Sequence, residues 1–489
     1  MSKPRPPRSG NKSRRRGTRS TASAPPKAAA GAMRVVALGG LGEVGRNMMA
    51  VEYDSRIVIV DVGVLFPDGS QPGVDVILPD FGYLSGRWSQ VAAVLLTHGH
   101  LDHIGGLPYL LRHAPQVPVF GTALTLALAG KVCAEHQVTP QVRLIGDGDR
   151  FQVDGFEVEA VAVNHSIPDA LAYALRTPAG MLLHTGDFKM DQFPADGVLT
   201  DLRRFAALGD EGVALLCTDS TNADVPGFVL SEKELVPAIG AVFASAEGLV
   251  VASTFASHVH RVQALVDASV RHGRKVAFAG RSMVTNMAMA AELGYLTLPA
   301  GVTVDVDRVP ELDPRKVTVI CTGSQGEAAA ALGRMADGRH PIELGAGDTV
   351  LLASSMVPGN ESAVTSMIDR LTARRVRVVH KGTARVHTSG HAAAGELSFL
   401  YNVVRPAAVM PVHGEWRHLY ANAALAQATG VPAGQVCVGG NGTVWDVDGA
   451  GVVQAGTVPV VHVYVESAAE SNAATVAWPS SPAKVAAVA

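Results

Sequence analysis

At Thr97-His98-Gly99-His100-Leu101-Asp102-His103-Ile104-Gly105-Gly106, three imidazoles and one carboxylate fall within six residues, directly behind the apolar run 91–96. A fold can bury such a segment only if its polar atoms find partners, because an unpaired polar group in an apolar interior is costly. Divalent metals want this mixture of nitrogen and oxygen donors, and the neighbouring glycines let the backbone bend closely round an ion. The chain must therefore end a buried strand at an edge where further donors arrive from elsewhere. His165, Asp187 and His413 each stand just past an apolar run, at 158–164, 181–186 and 407–412, where loops converge.

Those runs belong to a texture of short Val- and Leu-rich segments stopped by Gly, Asp or His, such as 35–38, 57–60, 91–96, 158–163, 181–183 and 213–216. They read as buried strands, and the texture holds from 33 to about 231. Between 232 and 398 the rhythm becomes strand then helix, with strands expected at 249–252, 276–279, 317–321, 350–353 and 376–379 and helices at 260–271 and 361–374. That alternation predicts a parallel sheet with helices on its faces. The first texture returns over 399–466, so the middle region is expected to be an inserted domain.

With 489 residues, 47% hydrophobic and 17% charged, the chain is too apolar to be disordered throughout and too long for one ordinary domain. No apolar run approaches the roughly 20 residues of a membrane span. Cys133, Cys217, Cys321 and Cys437 form no C-x-x-C pair and read as buried thiols. Lacking a disulfide framework or a secretory leader, the chain is expected in the cytoplasm. Residues 1–32 hold nine Lys or Arg and no acid, a composition that cannot bury enough surface to fold. This basic tail is either a nucleic-acid-seeking arm or a solubilising one. Residues 467–489, rich in Ala, Ser and Pro, are expected to be a second disordered tail.

H-x-H-x-D-H followed by a later His, an Asp and a final His resembles the signature of the metallo-β-lactamase superfamily. Five further stretches narrow the resemblance: Gly39 to Met48 (GGLGEVGRNM), Asp61, Thr218-Asp219-Ser220-Thr221-Asn222, His387-Thr388-Ser389-Gly390-His391 and Pro411-Val412-His413-Gly414-Glu415. Together they resemble the β-CASP nucleases, most closely the bacterial ribonuclease J family, over residues 33 to about 466. The resemblance implies an α/β fold: a four-layer αββα sandwich formed by 33–231 and 399–466, interrupted by a β-CASP domain at 232–398.

The resemblance also implies roles. His98, His100 and His165 would bind one zinc ion, Asp102, His103 and His413 a second, and Asp187 would bridge both, with Mg2+ or Mn2+ able to serve in assays. Two such ions would lower the pKa of a shared water and neutralise charge on a phosphodiester. Asp61 would orient the ligands from behind. Asp102, Asp187, Asp219 and His391 would serve catalysis, His391 as donor to the leaving oxygen or as anchor for the scissile phosphate. His387, Thr388, Ser389, Gly390 and His391 would contact RNA; apart from the resemblance, Ser257 and His258 are expected to do so because they sit at a strand-to-helix junction of the inserted domain, where free amides suit phosphates.

The implied activity is endonucleolytic and 5′-to-3′ exonucleolytic cleavage of RNA, preferring a 5′-monophosphate, in mRNA decay and rRNA maturation. Homodimers or homotetramers and RNA-decay proteins are the implied partners. Family members usually continue past the position of Glu466 into a small domain that supports oligomerisation, so the oligomeric state stays open. An inactive RNA-binding scaffold and a dizinc enzyme acting on DNA or a small ester remain alternative readings.

Overall fold

Apolar runs too short for helices pair edge to edge into two facing sheets in the computed structural model, which describes residues 28–67, 71–356 and 359–466. Most of the expected basic tail and the whole of the 467–489 tail lie outside the described residues. One sheet has eight strands, in spatial order Gly451–Thr457, Thr443–Asp448, Met33–Gly39, Met48–Tyr53, Arg56–Val60, Val91–Leu95, Pro118–Gly121 and Gln141–Leu144. The other has six: Val409–Val412, Leu215–Asp219, Gly180–His184, Leu171–Thr177, Phe156–Ala162 and Arg150–Val153.

Side chains alternate across each strand, so each sheet has two apolar faces to cover. Val35, Ala37, Val58 and Val60 of the first sheet meet Val158, Tyr173, Leu182 and Cys217 of the second in one shared core. Val36, Ile57 and Ile59 on the opposite face pack under the helices Leu107–His113 and Ala123–Glu135. Val161, Ala172, Leu183 and Leu216 pack under Leu202–Glu211, Ala394–Val404 and Trp416–Ala428. Helix, sheet, sheet and helix give the four-layer αββα sandwich of the metallo-β-lactamase fold.

A third sheet has five parallel strands in the order Lys275–Ala279, Val317–Cys321, Val250–Ser253, Thr349–Leu352 and Arg377–Val379. Val259–Arg271 and Arg281–Glu292 cover one face, while Ala331–Ala336 and Glu361–Ala373 cover the other. The chain leaves the sandwich after Leu215–Asp219 and is back on it by the helix Ala394–Val404; Val409–Val412 then pairs beside the departing strand from Leu216↔Val409 to Asp219↔Val412. The parallel unit thus interrupts the sandwich in the chain.

A buried ionic cluster lies within the inserted part, and its Glu232 N–H donates to Asp191 Oδ2 of the sandwich at 3.2 Å. Arg261, fully buried on Val259–Arg271, donates to both carboxylate oxygens of Glu232 at 2.9 to 3.0 Å, to Val386 O at 2.8 Å and to Ala353 O. The four cysteines are free and buried. Among the described residues no helix is long and apolar enough to cross a membrane.

Candidate metal centre

Four strands of the sandwich, Val91–Leu95, Phe156–Ala162, Gly180–His184 and Val409–Val412, end at one rim, and the loops just past them carry the donors. Asp61 follows Arg56–Val60 with φ 59°, a left-handed backbone that aims its carboxylate under the next strand end. Its Oδ1 accepts from Thr97 N–H at 2.8 Å, and its Oδ2 accepts from Thr97 Oγ1–H at 2.8 Å and His103 Nδ1–H at 2.7 Å. With the Thr97 hydroxyl so committed, His98 Nδ1–H donates to Thr97 Oγ1 at 3.0 Å. His165 Nδ1–H donates to Gly390 O at 2.7 Å, and His413 Nδ1–H to Asp187 Oδ1 at 2.7 Å. Four Nδ1 atoms are therefore occupied as donors, which fixes each tautomer and leaves Nε2 bare.

The bare nitrogens converge. His98 Nε2 lies 2.9 Å from His100 Nδ1, and His165 Nε2 lies 3.2 Å from that same Nδ1. Asp187 Oδ2 lies 3.6, 3.2 and 3.7 Å from the Nε2 atoms of His98, His103 and His165. Asp102 Oδ2 lies 3.6 Å from His103 Nε2 and 3.4 Å from His413 Nε2, and the latter nitrogen is buried without a hydrogen-bond partner. Two sets of four donors result, His98, His100, His165 with Asp187 and Asp102, His103, His413 with Asp187, each gathered within 4.8 Å. Lone pairs facing one another in a buried space repel unless a cation or proton lies between them. The donor set fits a pair of divalent ions sharing Asp187.

Charge in the protein alone divides the same way. Burial holds His98 and His165 well below the ordinary imidazole value and His100 down to about 4. Burial also opposes charge on His103 and His413, but Asp187 and Asp102 outweigh it, placing His103 well above the ordinary value and His413 up to about 10. Asp187 and Asp102 are held low against burial, chiefly by His103 and His413. Protons on two rings thus stand where a dication would neutralise the carboxylates.

The accessory residues sit at the same rim. His391 Nδ1–H donates to Asp219 Oδ2 at 2.7 Å and lies 3.9 Å from Asp187 Oδ2. Burial opposes its charge, yet Asp219 and Asp187 raise its pKa. Gly390 packs on the His165 ring so closely that a Cβ there would meet His165 Cε1 at 2.8 Å. Ser389 Oγ accepts from His391 N–H at 3.1 Å, and Thr388 Oγ1 donates to Leu230 O at 2.9 Å. His387 is largely buried, its Nδ1 without a partner.

Ser257 and His258 part company. His258 is turned inward at 2% exposure, its Nε2 3.3 Å from Glu232 Oε1, so of the two only Ser257 keeps surface. His184, standing three residues before Asp187, accepts from Gly186 N–H at Nδ1, 3.0 Å away, and shapes that turn.

Asn47 belongs to this site too. Its backbone N–H donates to Asp102 O at 2.9 Å, and its Nδ2 lies 3.2 Å from that oxygen and 3.1 Å from His103 Nε2. In the sequence it was only one letter of a glycine-rich stretch; no local pattern ties it to a histidine 56 positions away.

Comparison with known proteins agrees with this geometry. Three family models match: "Beta-lactamase superfamily domain" over residues 72–208, "Ribonuclease J, beta-CASP domain" over 247–371, and "Zn-dependent metallo-hydrolase RNA specificity domain" over 375–434. The chain is 48% identical over 443 residues to Ribonuclease J of Mycolicibacterium smegmatis, covering 90% of this chain and 79% of that one. It is 49% identical over 437 residues to Ribonuclease J of Mycobacterium tuberculosis, covering 89% and 78%. Ribonuclease J of Synechocystis is 38% identical over 450 residues, with 91% and 70% covered. Among solved structures, a protein of unknown function from Enterococcus faecalis superposes with a TM-score of 0.60 at 17% identity, over 85% of this chain and 100% of that one, a likeness of fold alone.

Proposed function

Because the chain belongs to the ribonuclease J family and is a metal-dependent RNA hydrolase, we propose that it cuts RNA both internally and processively from a 5′-monophosphate end. Its cellular work on this reading is mRNA decay and rRNA maturation in the cytoplasm. The observation that supports the proposal is the gathering of five imidazoles and the Asp102 carboxylate around Asp187.

His98, His100 and His165 would hold one zinc ion and Asp102, His103 and His413 a second, with Asp187 available to either set. When bound, the pair of ions lowers the pKa of a water and offsets charge on the phosphodiester. Asp61 keeps Nδ1 of His103 occupied and Thr97 in place, so that the ligand face of each ring stays turned to the rim. Asp219 holds the His391 ring by Nδ1–H, which presents Nε2 to the substrate. The Asp219 and Asp187 carboxylates raise the pKa of His391 against burial, which favours the protonated ring as donor to the leaving oxygen or as anchor for the scissile phosphate. The small residues Thr388, Ser389 and Gly390 let the loop approach an anion closely.

The test is one RNA prepared with either a monophosphate or a triphosphate at its 5′ end, incubated with the purified chain, zinc and either magnesium or manganese. Shortening of the monophosphate form from its 5′ end, together with internal cuts in both, is the expected result. Full-length RNA in every lane would contradict the proposal.

A further inference from the structure

The metal rim continues into an aromatic surface that the reaction does not use. Gly414, next to His413, is bridged to Leu41 and to Glu43, so the 41–43 segment runs alongside the last metal-site loop. The helix Trp416–Ala428 starts two residues later, and Trp416 is only three residues from His413, within about 11 Å along the chain. Its ring rests on Gly42, which has φ 77° and where a Cβ would meet Trp416 Nε1 at 2.8 Å. One edge is thereby fixed while the side chain stays 46% exposed. Tyr420 follows one helical turn later on the same face, 61% exposed, with ring centroids 6.2 Å apart and planes tilted by 33°.

Two large aromatics thus lie open side by side, one braced against a glycine. Aromatic rings at the mouth of a nucleic-acid site offer flat faces on which bases stack with little regard to sequence. Both residues also lie inside the stretch matched by the RNA specificity domain model, 375–434. We propose that Trp416 and Tyr420 form a stacking platform for a nucleobase of single-stranded RNA close to the scissile phosphate. The platform holds the strand by its base while the metal rim holds its backbone. This inference rests on the reading that the chain hydrolyses RNA. It adds a base-binding site contiguous with the metal centre.

The test is a cycle between side chain and base, on the metal-loaded full chain with a short RNA whose phosphorothioate linkages resist hydrolysis. Replacing Trp416 by Ala should raise Kd about 5- to 150-fold, Tyr420→Ala should raise it less, and Trp416→Phe should keep most of the affinity. The dependence of Kd on salt, which reports phosphate contacts, should be unchanged in all three.

In a series of RNAs each lacking one base, a single abasic position should weaken the wild type as much as Trp416→Ala does and cost the variant nothing further. Unchanged Kd in folded Trp416→Ala, or an abasic penalty of full size in that variant at every position, would overturn the platform. If the wild type cleaves ordinary RNA but shows no such coupling, the platform alone fails. If it neither binds nor cleaves RNA, the hydrolase reading fails and the platform with it.

Discussion

Asp61 shows how much one side chain behind a metal site decides. It accepts from the Thr97 amide, the Thr97 hydroxyl and His103 Nδ1, and through Thr97 it also sets the tautomer of His98. Asp61→Ala should weaken metal binding by roughly 10- to 100-fold with the fold retained, read by titrating the metal-free protein with zinc against a competing chelator. Unaltered affinity would mean that His98 and His103 are oriented without it.

The residues gathered at the rim stood out in the sequence because a metal site would need its donors at such places: four within six residues and the others just past apolar runs. Asn47, Glu232 and Arg261 were not, since each finds its partner far along the chain, and a single Asn, Glu or Arg carries no periodic signal. His258 looked from its sequence position like a surface donor, yet the Glu232 carboxylate draws it into the interior.

At the scale of elements, strand–helix contacts are tied by charge as well as by apolar packing. Glu159, 2% exposed on Phe156–Ala162, accepts from Arg176 on the adjacent strand at 2.6 Å and from Arg204 on the helix Leu202–Glu211 at 2.9 Å. Burial pushes its carboxyl upward, but Arg204 and Arg176 more than offset this and leave the pKa lowered. A carboxylate lowered on folding contributes stability that is complete above its unfolded value of about 4.3 and lost as pH falls through the folded value. Glu159→Gln should therefore cost about 1.5–3 kcal/mol at neutral pH, a difference that shrinks below about pH 4. Denaturant melts of both proteins across pH measure it, and a pH-independent difference would contradict the role given to the charge.

Some strand bounds were legible from composition, as at Val317–Cys321, which begins and ends where expected. The strand expected at 213–216 instead spans Leu215–Asp219. Pairing of Thr218 with Pro411 and of Asp219 with Val412 carries the ladder through polar residues, and a partner nearly two hundred residues away leaves no mark on local composition.

For the molecule as a whole, the sandwich supplies the rim and the inserted parallel unit stands beside it, tied to it where Glu232 N–H, in the Arg261 cluster, donates to Asp191 Oδ2. Arg261 also donates to Val386 O, directly ahead of the loop that carries His387 to His391. The site is thus a property of the full architecture: its donors come from residues 98 to 413 and meet only when both sheets are closed. Elemental analysis of the purified chain, run beside Asp187→Ala and with circular dichroism on each, tests that convergence most directly. Close to two divalent ions per folded wild-type chain, falling sharply in the equally folded variant, is the expected result. A wild-type chain that hydrolyses RNA without retaining metal, or an Asp187→Ala chain that still holds two ions, would contradict it.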